Sequence, residues 1–403
     1  MPRPRLLALV ALAMVAGSTV PAGIGSAYQA TPVVSPAAAV PTTAIVVSTT
    51  NDPLRAPGSD GADHLEYDLL VTNAFTAPVT LSSVEVLAPD GERLLRLAGE
   101  DLVTATQPLL EETPTRAIPA SGTVAVVMDV PVSPQREVAA LDHRIAYEIA
   151  PDAPGRSLFG SFEVTGPDLP VDPRPVTVIA PPLRGDGWLA GNACCSPASV
   201  HRWVRVPVAG ERIVKTETFA IDWVRLQDGK LFEGDGAERE QWFGFGAEVL
   251  AVADGTVVAV QEGRAEEVPM QPVEGVHAPG DYGGNFVTLE IAPGVYAFSA
   301  HLQPDSITVE VGDRVSTGQV LGLLGNTGNS TAPHLHFGLL DDPDPLVGAS
   351  LPMAVDQWTL AGTIPLDVYL GASSSDVPDL TPQGPVVEQS GTLQRFLDVA
   401  DFG

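Results

Sequence analysis

The chain has 403 residues, 44% of them hydrophobic, with 39 Gly and 38 Pro; this can fill two ordinary domain cores and favours short strands and turns over long helices. Fifty acidic residues against 21 basic ones give a formal net charge of −29. That sign excludes DNA and RNA as partners, because phosphate recognition needs a cationic surface, and it disfavours an anionic membrane face.

Residues 1–27 read as a secretory signal peptide. Arg3 and Arg5 precede the apolar run Leu6 to Val15, and Gly25-Ser26-Ala27 offers a cleavage point. The run is short for a membrane span. No cysteine follows it to carry a lipid, and no later segment is apolar enough to cross a bilayer. The expected mature protein is therefore secreted and extracellular, without a membrane anchor. Residues 28–42 are small, Pro-rich and linker-like.

Residues 43–166 hold short alternating runs, among them TTAIVVST, HLEYDLLVTN, GTVAVVMDVPV and HRIAYEIAP, separated by polar or Gly/Pro turns. This spacing predicts an immunoglobulin-like β-sandwich. His64 and His143 stand alone in it and read as surface or internally satisfied residues. Residues 167–187 are Pro-rich and predict a semi-rigid connector. A second domain is expected over 188–352. The extension 353–403 is rich in Pro, Ser and Asp, and predicts loose order with one short helix over Gly391–Val399.

The two cysteines, Cys194 and Cys195, are adjacent. Neighbouring Cα atoms lie about 3.8 Å apart across a trans peptide, below the usual disulfide range. A strained vicinal bridge, two buried thiols and a metal-ligand role all stay open.

The stretch Gly325 to Leu340, GNTGNSTAPHLHFGLL, carries the chemistry. On a strand, His334 and His336 share one face with Cα atoms roughly 6.5–7 Å apart, while Leu335 and Phe337 turn to the other. Two imidazoles on one face can share a metal and its bound water. Upstream, GAEVLAVADGTVVAV has hairpin character around Asp254-Gly255. NFVTLEI and VYAFSAHL read as paired strands, with His301 near the end of the second. ITVEVGDRVSTGQVLGLLG places turn glycines at 312, 318 and 322.

The combination of DGTVVAV, SAHL, VGDRVSTGQVLG and GNTGNSTAPHLHF resembles the lysostaphin/LytM family of zinc endopeptidases, which cleave peptide cross-links in bacterial cell walls. The resemblance covers about residues 216–340. It implies an all-β fold: the sandwich followed by a lysostaphin-type antiparallel β-sheet core. It also implies Zn²⁺ as cofactor, with Asp222 and His336 as ligands, His334 as general base and His301 as its catalytic companion. The implied partner is peptidoglycan or another extracellular peptide, with cell-wall association. VEVGDRVSTGQVLG is also similar to the turn of lipoyl and biotinyl carrier domains, but the only lysines, Lys215 and Lys230, lie outside it.

One position departs from the family pattern. Four residues before Asp222, where the family has its first ligand His, stands Thr218. Catalytic zinc sites keep three protein ligands, and Asp222 with His336 makes two. His201, 17 residues before Thr218, is a candidate replacement. Asp228, Asp235 and Glu238, in an insertion after Asp222, are others. Glu217 is adjacent to Thr218 but on a strand would face the opposite side. His277, in a second insertion, reads as a loop residue. Both insertions are expected to line or cover the groove. Two functions follow: a zinc endopeptidase acting on peptidoglycan cross-link peptides, or a degenerate domain that binds cell wall or regulates a partner hydrolase without cutting.

Overall fold

Alternation of apolar and polar residues organises the first half of the chain. The computed structural model describes residues 40–109, 111, 113–273, 276–371 and 379–403. The signal segment and most of the linker read from the sequence lie outside the described residues. The N-terminal strands are β1 (Ile45–Thr49), β2 (Leu54–Pro57), β3 (Asp63–Asn73), β4 (Val79–Leu87), β5 (Arg93–Ala98), β6 (Thr106–Pro108), β7 (Thr123–Val132) and β8 (Ala140–Ile149). One antiparallel sheet runs β1-β3-β7-β6, with β2 also paired to β3; a second contains β8-β4-β5. Leu65, Tyr67, Leu69 and Val71 of β3 point into a core shared with Leu81, Val84, Ile145 and Tyr147. Each such burial contributes about 1.5–3 kcal/mol, and two facing inner surfaces make a sandwich.

The other face of β3 departs from the usual polar-out rule. His64, Glu66 and Asp68 alternate with the core residues, yet they are buried too. His64 is held between Asp60 and Asp129, and what covers Glu66 and Asp68 is the segment after residue 200. Arg202 Nη2 lies 2.6 Å from Glu66 Oε2. Arg205 Nη2 and Lys215 Nζ lie 2.5 and 3.0 Å from Asp68 Oδ2. Burial disfavours the Asp68 carboxylate, but Lys215, Arg205 and Arg202 outweigh it and hold Asp68 at about 2. Burial pulls Lys215 down to about 7, and the two arginines add to the pull. Burial pushes Glu66 well above the usual carboxylate range despite Arg202.

The second half builds one twelve-stranded sheet. Its principal strands are β9 (Thr177–Ile179), β10 (Gly185–Gly191), β11 (Ile221–Arg225), β12 (Gly255–Gln261), β13 (Asn285–Ala292), β14 (Val295–Leu302), β15 (Leu335–Leu340), β16 (Met353–Thr363), β17 (Val387–Thr392) and β18 (Asp398–Phe402). The order is β9-β16-β18-β10-β11-β15-β14-β13-β12, antiparallel except for β9 with β16. Trp188, Trp223, Phe337 and Phe402 are buried in its core, and the Trp223 indole donates to Gln394 Oε1 at 2.7 Å.

Three sequence expectations fail here. Where it is described, the extension after 352 is not loose, and no helix covers 391–399; most of its Ser- and Asp-rich tract, 372–378, lies outside the described residues. β16, β17 and β18 occupy that region, and β18 pairs on both sides. Burial of Val399, Ala400 and Phe402 between neighbours decides the strand. The runs before and after Asp254-Gly255 do not pair with each other. Glu248–Leu250 joins Val320–Leu323 in a separate two-stranded sheet, while β12 joins β13. The Pro-rich stretch 167–187 is not only a connector, since it contains β9 and the start of β10. Among the described residues no helix is long and apolar enough to cross a membrane.

Candidate metal centre

Neighbouring strands bring the predicted side chains together. Antiparallel pairing sets Asp222 of β11 directly opposite His336 of β15, and His336 opposite Ala300 of β14. His301 follows Ala300 with φ of +65°, a backbone uncommon outside glycine. That turn carries its ring towards the histidine pair: the His301 and His334 ring centroids are 4.7 Å apart, and those of His301 and His336 5.8 Å. Ring nitrogens of His301, His334 and His336 all lie within 4.8 Å of one another.

His201 reaches the same point from outside the sheet. It sits on a short 3₁₀ turn, Val200–Trp203, in the connection between β10 and β11, and is buried. Its Nε2 lies 3.3 Å from Asp222 Oδ2, and His336 Nδ1 lies 2.9 Å from Asp222 Oδ1. The two rings meet edge to face at 5.0 Å. Asn192 Nδ2 donates to Asp222 Oδ2 at 2.8 Å and steadies the carboxylate.

The far nitrogen of three rings faces a backbone carbonyl. His201 Nδ1 is 3.2 Å from Ala220 O, His301 Nδ1 2.7 Å from Thr327 O, and His334 Nδ1 2.7 Å from Ala332 O. Donation from Nδ1–H there leaves each Nε2 with its lone pair towards the cluster, the arrangement in which outer partners orient metal-binding and acid–base imidazoles.

Glu217 was not anticipated. Residues 216–219 form a bend and turn before β11 rather than a strand, so the alternation argument that aimed Glu217 away does not apply. Glu217 Oε2 lies 3.6 Å from His201 Nε2, and the Tyr282 hydroxyl donates to Glu217 Oε1. Donor atoms of His201, Glu217 and His336 lie within 4.8 Å of one another. Thr218 is buried and does not line the cavity over the cluster.

The other proposed substitutes are elsewhere. Asp228, Asp235 and Glu238 are exposed and do not line that cavity, because their insertion folds back on itself through the Gln227–Lys230 and Phe232–Trp242 bridges. The first insertion therefore does not cover the groove, whereas the second contributes Tyr282 to it. His277 is exposed, as a loop residue. Cys194 and Cys195 form a vicinal disulfide, so neither supplies a thiolate. His64 and His143 are internally satisfied, by Asp129 and Asp60 and by Tyr67 and Pro167 respectively.

Charges in the cluster set its protonation. Burial opposes an ionised Asp222, but His201 and His334 outweigh it and hold the carboxyl well below its usual range. Burial would lower His201, yet Asp222 and Glu217 lift it to about 9. Burial likewise opposes a charged His334, and Asp222 raises it. Burial pushes His301 well below the usual imidazole range, and His334 and His336 add to this, so His301 stays neutral. Two imidazoles and one carboxylate form a donor set suited to Zn²⁺; His201 and His336 approach opposite oxygens of Asp222, and donor atoms of His201, Glu217 and His336 lie within 4.8 Å of one another.

A cavity of about 560 Å³ opens over the cluster. His201, Asp222, His301, His334 and His336 line it, and the sandwich contributes Gln107, Pro108, Leu109 and Glu111 to its wall. Residues 243–346 match the model of peptidase family M23. That likeness to family M23 covers about a quarter of the chain. Seventy-five residues of the chain are 40% identical to the peptidoglycan DD-endopeptidase ShyA of Vibrio cholerae, covering 18% of this chain and 17% of that protein. Fifty-five residues are 47% identical to the glycyl-glycine endopeptidase ALE-1 of Staphylococcus capitis, covering 14% and 15%. The matched region thus spans about a sixth of each relative. The catalytic domain of lysostaphin from Staphylococcus simulans aligns at 22% identity over 33% of this chain and 77% of that domain, with a TM-score of 0.22. His301, His334 and His336 fall inside the M23 segment, whereas His201, Glu217 and Asp222 precede it.

Proposed function

We propose that the protein is a secreted zinc metalloendopeptidase that hydrolyses peptide cross-links of peptidoglycan, with His201 replacing the ligand missing at position 218. The observation that carries this reading is the approach of His201 Nε2 to Asp222 Oδ2 at 3.3 Å, while His336 Nδ1 approaches the other oxygen at 2.9 Å. His201, Asp222 and His336 would hold the zinc. What Zn²⁺ supplies in such a site is a water acidic enough to ionise near neutral pH. His334 Nε2, 3.4 Å from Asp222 Oδ1, takes up a proton, its ring held by the Ala332 carbonyl. His301, kept neutral by burial with Nδ1–H on the Thr327 carbonyl, presents the lone pair of Nε2 to the cavity, where it can accept a proton beside His334. The Vibrio and Staphylococcus relatives are named as peptidoglycan and glycyl-glycine endopeptidases, which supports the substrate class. The apolar run Leu6 to Val15 supports secretion.

One observation favours a second reading, a domain that binds cell-wall peptide without cutting it. Glu217 is close enough to His201 and His336 to join the donor set, and four protein donors leave no position for water. Incubation of the zinc-loaded protein with purified sacculi separates the two. Release of soluble muropeptides, lost on His334→Ala, supports the peptidase. Intact sacculi with one tightly bound zinc per chain refute it.

A further inference from the structure

The turn that carries His201 is shared between the two halves of the molecule. His201 faces the cluster, but Arg202 and Trp203 after it pack on the sandwich. Arg202 is 1% exposed and inserts beside β3 and β7, with Nη2 2.6 Å from Glu66 Oε2 and donating to Met128 O at 3.3 Å. Trp203 packs against the sandwich core. Arg205 binds Asp68 at 2.5 Å. Lys215, from beyond the turn, bonds both Asp68 and the Arg202 carbonyl. Asp222 and His336 are fixed by ladder pairing in the middle of a sheet. His201 has no ladder. Within its own half its ring is held by side-chain and single-carbonyl contacts, from Nδ1 to the Ala220 carbonyl at 3.2 Å and from Nε2 to Asp222 and Glu217.

We infer that the N-terminal sandwich is a positioning element for the metal site: Glu66 and Asp68, by anchoring Arg202 and Arg205, hold His201 against Asp222. This rests on His201 being a ligand. The halves of the site then differ in kind, with Asp222 and His336 preset by the sheet and His201 delivered by the docked sandwich. Glu66 is a positioning residue, with no place for it in the cavity. Loss of a group bonded to a ligand lowers metal affinity by about 10–100-fold, and the lower end, about tenfold, is expected for Glu66→Gln, which acts on His201 through Arg202.

The test is zinc affinity of the full chain, from competition with a chromophoric chelator, together with the number of coordinated imidazoles from X-ray absorption. Wild type, Glu66→Gln, His201→Ala and the double variant are compared, each checked for folding by circular dichroism. The expected result is weaker zinc binding and one coordinated imidazole fewer in Glu66→Gln, with no further loss when Glu66→Gln is added to His201→Ala. Unchanged affinity in Glu66→Gln, or equal losses in both backgrounds, overturns the inference. If His201→Ala alone leaves affinity and imidazole count unchanged, the ligand assignment itself fails. Trp203→Leu disturbs no buried charge and must weaken zinc in the same way; it decides the matter if Glu66→Gln does not fold.

Discussion

Replacing His201 by alanine removes one of three proposed zinc donors, and the size of the loss can be worked from its surroundings. Structural zinc sites bind with about 10–16 kcal/mol, so one of four ligands contributes about 3 kcal/mol, or about a hundredfold in affinity. A second effect works against this near neutrality. Without metal, Asp222 and Glu217 hold a proton on His201 up to about pH 9. Zinc must displace it, which at pH 7.5 costs about 2 kcal/mol. The wild-type advantage over His201→Ala is therefore several-fold near pH 7.5 and grows with pH. It levels at about a hundredfold above pH 9, once His201 has lost its proton. Chelator competition at several pH values measures it directly. Equal affinities of the two proteins at pH 9.5 refute the assignment; a ratio that falls as pH rises refutes the coupling to Asp222 and Glu217.

Three further outcomes follow from the geometry. Glu217→Gln keeps an acceptor for Tyr282 but removes a negative charge 3.6 Å from His201, so His201 in the metal-free protein titrates about one pH unit lower; an unchanged imidazole titration by NMR contradicts this. His64 is raised to about 10, because Asp129 and Asp60 outweigh its burial. Its folded value exceeds its unfolded one, so its contribution of a few kcal/mol is complete below about pH 6.5 and vanishes as pH rises through 10. The stability gap between wild type and His64→Gln in urea must shrink accordingly, and a pH-independent gap argues against the ion pairs. Gly284 has φ of +61°, and a Cβ there would overlap the Thr327 backbone, whose carbonyl accepts from His301 at 2.7 Å. Gly284→Ala should lose about 2 kcal/mol or more; a wild-type urea midpoint would show that the contact yields easily.

Much of the centre was legible because its information is local. His334 and His336 are two residues apart, and strand alternation alone puts them together. Asp222 and His301 sit in short apolar runs that read as strands. His201 could be named only as a candidate, since nothing in a loop sequence fixes where its 3₁₀ turn docks. Glu217 was misjudged because a period-two rule was extended one turn too far upstream of β11. The burial of Glu66 and Asp68 left no trace in the sequence, where HLEYDLLV looks like any strand with a wet face. Residues 391–399 combine good helix formers with polar residues, and only pairing with β16 and β10 makes 398–402 a strand.

The position of β18 has a consequence for how the centre comes into being. It separates β16 from β10, and β10 is the neighbour on which Asp222's strand leans. From Gly185, where β10 begins, to Asp398, where β18 begins, the numbering advances by 213. A ribosome or export channel releases β10 long before the partner that closes its far edge. Until then that edge is open for pairing with another chain. The sheet that pairs Asp222 with His336 is thus closed on this side only by a strand made more than 200 residues after β10.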